Sequence, residues 1–181
     1  MTRVAPASAA GLIPAARRRR TVGEPRPCSI PVLAGTTVAI PVTVSGLNAP
    51  WPVNGQSLEP HVTLAYFGVL HPNTHRALCE TVGRIARETR YFGMEIGGLG
   101  HFRNRDRTVA FLNAGPAALI FELRDRILAS VGVEEGGHPS DYVPHSTLAV
   151  LPRNSTWSGP VPEGGMLVKY IAVYGNNGGD T

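Results

Sequence analysis

The sequence has little cysteine and no long apolar run, and each shortage excludes a class of protein. The two cysteines, Cys28 and Cys79, are too few for a disulfide framework and lack the spacing of a metal site. No apolar stretch approaches the roughly 20 residues that a membrane-spanning helix needs. The Gly-x-Ser-x-Gly motif of a nucleophile elbow is also missing, which disfavours Ser/His/Asp hydrolysis. We therefore expect a cytoplasmic protein without a membrane partner.

The net charge of +4 is concentrated near the N-terminus. Residues 1–35 contain six basic side chains and one acidic side chain, whereas the remainder contains 11 basic and 12 acidic ones. A protein that binds a long polyanion normally carries a basic face on its folded part. The nearly neutral remainder therefore favours a small or terminal phosphate substrate over a long duplex.

Residues 1–35 are rich in Ala, Pro and Arg and show no sustained periodicity. A secretory signal peptide places its basic residues before its apolar stretch, whereas Arg17–Arg20 follow the Ala-rich segment here. We expect a disordered basic tail, and weak contact of this tail with nucleic acid is its alternative role. Residues 36–175 are expected to form one monomeric domain, followed by a flexible C-terminus at 176–181.

One hexapeptide occurs twice in the chain. Pro60–Ala65 (PHVTLA) returns 84 positions later as Pro144–Ala149 (PHSTLA), with five of six residues identical. Each copy is short, apolar and β-branched, and each begins with a proline, which a strand tolerates at its first residue. Both copies therefore predict β-strands, over residues 60–67 and 143–151.

In each copy, a histidine and the threonine two positions later share one face of the strand, because strand side chains alternate. These residues are His61 with Thr63, and His145 with Thr147. If the two strands are neighbours, the four side chains converge on one groove. One imidazole could then deprotonate an attacking water or hydroxyl while the other protonates the leaving oxygen. The threonine hydroxyls would donate hydrogen bonds to phosphate oxygens, and which histidine is the base stays open.

The remaining periodicities predict two helices and four further strands around these motifs. We expect a loop at 45–59, and the other elements are strand 36–44, helix 73–90, strands 91–102 and 107–114, helix 116–131 and strand 166–174. Asn73 is the predicted cap of the first helix, and Gly132 ends the second. The element order predicts an α+β fold with two lobes, whose mostly antiparallel sheets face each other across a central cleft with the helices packed outside.

Aromatic and basic side chains near the motifs are candidate groove contacts, because aromatics stack on bases and arginines contact phosphates. Arg103, Arg105 and Arg107 alternate along the predicted hairpin and are expected on one side, with a solubilising edge as the alternative. The candidate groove contacts are His101, Phe102, Arg103, Arg105 and Tyr142, with Trp51 and Trp157 as further aromatics.

His71 and His75 lie four residues apart, which is the helical spacing of some zinc ligands. Pro72 lies between them, and no acidic third ligand follows at a suitable distance. No metal site is therefore predicted.

The two His-x-Thr-Leu motifs, the first of which continues as AYFG, resemble those of the 2H phosphoesterase superfamily. That superfamily is named for two His-x-Thr/Ser motifs and includes RNA 2′,3′-cyclic phosphodiesterases and 2′,5′-acting enzymes. The resemblance covers residues 36–175 and implies a metal-independent phosphodiesterase without a cofactor, acting on a small nucleotide or an RNA end. It also implies that His61 and His145 are catalytic and that Thr63 and Thr147 bind the substrate phosphate.

The chain departs from many relatives by having a Pro/Gly-rich loop where they have a helix before the first motif. Two alternative functions remain open. One is hydrolysis of cyclic oligonucleotide signals, as in phage anti-defence proteins; the Arg-rich, Lys-poor composition is typical of a GC-rich actinobacterium or its phage. The other is a nucleotide-binding module that turns nothing over.

Overall fold

The computed structural model describes residues 35–45, 47, 51–53, 56–132, 135–136 and 142–175. The expected basic tail, apart from Gly35, and the expected flexible C-terminus lie outside these residues. The elements of the described part are β1 (Thr37–Pro41), β2 (Trp51–Val53), β3 (Gln56–Leu58), β4 (His61–Tyr66), α1 (Pro72–Glu88), β5 (Phe92–Arg103), β6 (Arg107–Gly115), α2 (Ala117–Val131), β7 (His145–Pro152), β8 (Gly164–Val168) and β9 (Ala172–Tyr174). None of the described helices is long and apolar enough to cross a membrane.

Seven strands form one sheet in the order β8-β5-β6-β7-β4-β1-β9, and every pairing in it is antiparallel. β8 and β9 occupy opposite edges, although only residues 169–171 separate them. The chain from Val168 to Ala172 spans at most about 14 Å, whereas the edges of a flat seven-stranded sheet lie about 29 Å apart. The sheet is therefore strongly curled, and its two halves face each other across the concave side.

The convex side of the sheet carries the core. Val62, Leu64 and Leu148 from the two motif strands are fully buried, and they belong to one apolar cluster with the helices. The helix residues in this cluster lie at helical spacing and are Leu78, Val82 and Ile85 on α1, and Ile120, Leu123 and Ile127 on α2. The predicted α+β fold with antiparallel strands and external helices is confirmed.

Two predicted elements differ in the structure. The predicted strand 166–174 is wrong as a single element, because the chain leaves one sheet edge after Val168 and joins the other at Ala172. The predicted loop 45–59 contains the short hairpin of β2 and β3.

The helix boundaries follow local backbone chemistry. α1 begins at Pro72, and His71, not Asn73, is its N-cap; the His71 side chain accepts a hydrogen bond from the Asn73 N–H. α2 ends at Gly132, which has the left-handed φ of 63° that favours glycine after a helix.

Candidate active site

The two motif strands, β4 and β7, are neighbours in the middle of the sheet and run antiparallel. Their register contains one residue pair, Val62 with Ser146, and both side chains are fully buried on the core side. Because side chains alternate along a strand, the residues before and after each member of this pair face the concave side. The β4–β7 ladder contains this pair alone among the described residues, and the concave side next to it is the groove between the two half-sheets.

The register around this pair brings the four motif residues together. Extending the antiparallel register by one residue on each side of the pair places His61 across from Thr147, and Thr63 across from His145. All four motif side chains therefore lie on the face opposite the core, and all four are partly accessible there.

Both imidazoles make the same backbone hydrogen bond. His61 Nδ1 lies 2.8 Å from the Glu59 carbonyl oxygen, and His145 Nδ1 lies 2.6 Å from the Val143 carbonyl oxygen. A carbonyl oxygen only accepts, so Nδ1 carries the proton in each ring. In the neutral imidazole, Nε2 then holds the lone pair that can accept a proton. The two motifs therefore repeat in geometry as well as in sequence, because in each one the accepting carbonyl lies two residues before the histidine.

The environment of His61 favours its neutral form. Burial lowers the pKa of His61 from its ordinary value, and the hydrogen bond to the Glu59 carbonyl opposes this effect without cancelling it. The Tyr174 ring of β9 lies beside it, with the ring centroids 5.7 Å apart. A half-buried, neutral imidazole whose Nε2 holds the lone pair is suited to act as a general base.

Two phenylalanine rings pack against His145. The centroids of Phe102 and Phe111 are each 5.0 Å from the His145 ring, and these two rings stack on each other at 4.1 Å. Gly100 makes this packing possible, because a Cβ atom there would lie 2.3 Å from the Phe111 ring. Phe102 is therefore a predicted groove residue that the structure places beside a motif histidine.

His101 lies on the other face of β5. It is paired with Ala110, which is fully buried on the convex side, whereas Phe102 is paired with Val109. His101 Nε2 accepts a hydrogen bond of 3.2 Å from the Trp157 backbone N–H. The structure does not bring His101 into the groove with the motif histidines.

The hairpin arginines do not share one side, so that expectation is wrong. Arg103 is paired with Thr108, which is fully buried on the convex side. Arg107 precedes Thr108 and so faces the concave side, opposite to Arg103. Arg105 lies in the exposed turn between the two strands.

Tyr142 was predicted to line the groove, but its contacts are with α2 and with the first motif strand. Its ring lies 4.3 Å from the Arg124 guanidinium and packs edge-on against Phe121, both on α2. Its hydroxyl donates a hydrogen bond of 2.7 Å to the Thr63 carbonyl oxygen. Tyr142 therefore connects α2 to the backbone of the first motif strand.

Asn113 is a groove residue that the sequence reasoning missed. It is the direct partner of His145 in the β6–β7 register, and its side chain is exposed on the concave side. Its Nδ2 donates a hydrogen bond of 2.8 Å to the carbonyl of Gly98, which has a φ of 71° at a bulge in β5. A polar amide in the apolar run Val109–Ala114 was the available signal, because asparagine is unfavourable in strands.

The histidines of α1 are engaged locally. His71 caps the helix, and His75 Nδ1 lies 3.7 Å from Cys79 Sγ. Within the described ranges, no group of three or more His, Cys, Asp or Glu side chains is arranged to hold a metal ion.

One protein family and several solved structures are similar to this chain. The model of the 2′-5′ RNA ligase superfamily matches residues 48–157. A phosphoesterase crystal structure is similar at 22% identity and a TM-score of 0.52, over 78% of this chain and 88% of that one. TT0787 of Thermus thermophilus is similar at 19% identity and a TM-score of 0.58, over 77% and 86%. E. coli LigT complexed with 3′-AMP is similar at 18% identity and a TM-score of 0.50, over 78% and 87%. No curated protein matches the chain.

Proposed function

The chain belongs to the 2′-5′ RNA ligase superfamily, and from this premise we propose that it is a metal-independent phosphodiesterase acting on a 2′,3′-cyclic phosphate or a short 2′-linked nucleotide. Membership confirms the resemblance to the 2H phosphoesterases and supports a phosphoesterase-type enzyme. The observation that carries the finer proposal is the placement of the two motifs on neighbouring strands, with both histidines and both threonines on the face opposite the core.

His61 is the general base in the proposed reaction. Its Nε2 accepts a proton from water as the water oxygen attacks phosphorus, and the lowered pKa keeps this nitrogen unprotonated at neutral pH. The new P–O bond forms as the bond from phosphorus to one ribose oxygen breaks. His145 in its protonated form gives its Nε2 proton to that oxygen. Proton exchange with solvent then restores both rings.

The threonines stabilise the negative charge on the phosphate oxygens. Thr63 and Thr147 donate hydrogen bonds to the non-bridging oxygens, and a hydrogen bond to a charged group contributes about 1.5–3 kcal/mol. These bonds accelerate the reaction to the extent that they strengthen in the transition state.

A nucleotide is the substrate class that fits the rest of the groove. Phe102 offers an aromatic face beside His145, and stacking of a base on such a face is worth about 1–3 kcal/mol. LigT, which shares the fold, was solved with 3′-AMP, a nucleoside monophosphate.

The test is turnover in EDTA of three substrate classes: 2′,3′-cyclic mononucleotides, 2′,5′-linked adenylates and cyclic dinucleotides. We expect turnover of one of the first two classes, and its loss in His61→Ala and in His145→Ala. His101→Ala is the matched control, because His101 lies outside the groove.

Other outcomes of this assay would overturn the proposal in defined ways. Turnover of cyclic dinucleotides alone would identify a hydrolase of cyclic oligonucleotide signals. Binding without turnover would identify a nucleotide-binding module. Activity that EDTA abolishes would show that a metal takes part.

A further inference from the structure

The two motif strands are held together by few backbone contacts, although the proposed chemistry requires their side chains to be accurately spaced. Their register contains the single pair of Val62 and Ser146. The Ser146 hydroxyl is fully buried and has no hydrogen-bond partner among the described residues, so it adds no polar link at this point. Another contact must therefore fix how far apart the strands lie beyond the pair.

The Tyr142 hydroxyl supplies such a contact. It donates a hydrogen bond of 2.7 Å to the carbonyl oxygen of Thr63, the residue across from His145. Tyr142 is also followed directly by Val143, whose carbonyl oxygen accepts from His145 Nδ1. One hydroxyl therefore ties the backbone of the first motif to the segment that orients the histidine of the second.

Tyr142 is itself held by a largely buried ion pair. The Arg124 guanidinium lies 4.3 Å from its ring centroid, a cation–π contact that is strong when shielded from water. Arg124 is 8% exposed, donates two hydrogen bonds to the Glu135 carboxylate, and donates a third to the Leu64 carbonyl. The Tyr142 and Arg124 side chains therefore hydrogen-bond to two consecutive carbonyls of β4, those of Thr63 and Leu64, and link them to α2.

Burial keeps the Tyr142 hydroxyl protonated at neutral pH. Burial raises the pKa of Tyr142, against a smaller opposing effect of the Arg124 charge. The hydrogen bond to the Thr63 carbonyl requires a protonated hydroxyl, so the raised pKa favours this bond.

We propose that Tyr142 is a positioning residue that sets the spacing between the His61–Thr63 motif and the His145–Thr147 motif. It touches the backbone of the motifs and does not contact the reacting atoms. The kinetic part of this inference rests on the proposed function. A misplacement of about 1 Å in a catalytic group can lower the rate by roughly 100-fold, so a contact that fixes spacing affects turnover more than binding.

Tyr142→Phe is the direct test, because it removes the hydroxyl and retains the ring on Arg124. We expect kcat to fall about 10-fold with KM changed less than about 2-fold, since the groove surface that binds substrate is unaltered. Tyr170→Phe is the matched control, because Tyr170 is 50% exposed and lies between β8 and β9. A Tyr142→Phe protein with unchanged kcat, or with an effect confined to the melting temperature, would overturn the proposal.

Imidazole NMR separates this inference from the proposed function. In Tyr142→Phe, we expect the Nε2 and Cε1–H signals of His61 and His145 to shift, while those of His101 stay unchanged. These signals require no substrate, so they test the positioning role even if the wild-type protein turns over none of the nucleotides. Unchanged signals from both motif histidines would overturn the positioning role and leave the proposed function standing.

Discussion

Asn113 lies directly across from His145 in the β6–β7 ladder, and both side chains face the concave groove. The hydrogen bond from Asn113 Nδ2 to the Gly98 carbonyl fixes the orientation of the amide. Bulges are enriched next to active sites, where they redirect side chains, and Gly98 lies at such a bulge. With Nδ2 engaged, Oδ1 is the amide atom suited to accept a hydrogen bond from a hydroxyl or amino group of the substrate.

Replacing Asn113 by Ala should weaken substrate binding. The lost hydrogen bond is worth about 0.5–1.5 kcal/mol, so we expect KM to rise about 3- to 10-fold with kcat little changed. Steady-state kinetics measures the effect. The control is Asn104→Ala, a change in the exposed β5–β6 turn. Equal KM values in the two variants would show that Asn113 does not contact substrate.

Replacing Gly100 by Ala should disrupt the aromatic packing around His145. The new Cβ would lie 2.3 Å from the Phe111 ring, so the Phe102–Phe111 stack must move. Overpacking of this kind costs about 1–3 kcal/mol of the free energy of unfolding, and we expect kcat to fall with it. Urea denaturation and kinetics measure both effects.

Gly93→Ala is the matched control for Gly100→Ala, because it lies on the same strand with nothing within 4 Å of a new Cβ. We expect it to leave activity unchanged. Equal stability of the two variants would contradict the packing argument.

The motif residues could be predicted from the sequence because the signal is local. The repeated hexapeptide fixes a strand, and strand alternation fixes which side chains share a face. The faces of His101 and Arg103 could not be predicted, because they depend on the bulge after Gly97 and on pairing with β6. Similarly, the curl of the sheet splits the segment 166–174 between two edges, and its one charged residue, Lys169, is too weak a signal to predict that break.

The contacts of Tyr142 were beyond sequence reasoning for a different reason. Its partners, Arg124 and the Thr63 carbonyl, lie on other elements, and one of them is a backbone atom. An aromatic residue three positions before a motif histidine indicates proximity to the groove but not the side on which its ring packs. The direction of its ring depends on where α2 crosses the sheet.

The lowered pKa of His61 should make stability depend on pH. In the unfolded chain this histidine binds a proton near its ordinary pKa of about 6.5, whereas in the folded protein it does so at lower pH. Between the two values the unfolded state binds more protons, so the free energy of unfolding falls as pH is lowered through this window. Urea denaturation at pH 7.5 and below pH 6.5 measures this change in the free energy of unfolding. We expect this free energy to fall less in His61→Gln than in the wild type. Parallel curves would contradict the lowered pKa.

The same pKa predicts the acid limb of the activity profile. A general base must be neutral, so kcat/KM falls as pH drops through the pKa of the base. If His61 is the base, the midpoint of this limb lies below about 6.5. A midpoint above that value would be inconsistent with His61 as the base, and a flat profile from pH 5 to 9 would contradict paired acid–base catalysis.

A change of leaving group can determine which histidine is the general acid and which is the general base. A ribose oxygen must be protonated as it departs, whereas p-nitrophenolate departs as a stable anion. We therefore expect His145→Ala to lose about 10²- to 10⁴-fold in kcat on the nucleotide substrate but far less on a nucleoside p-nitrophenyl phosphodiester. His61→Ala should lose a similar factor on both, because water must be deprotonated in either case. The reverse pattern would make His145 the base, in spite of the burial that keeps His61 neutral.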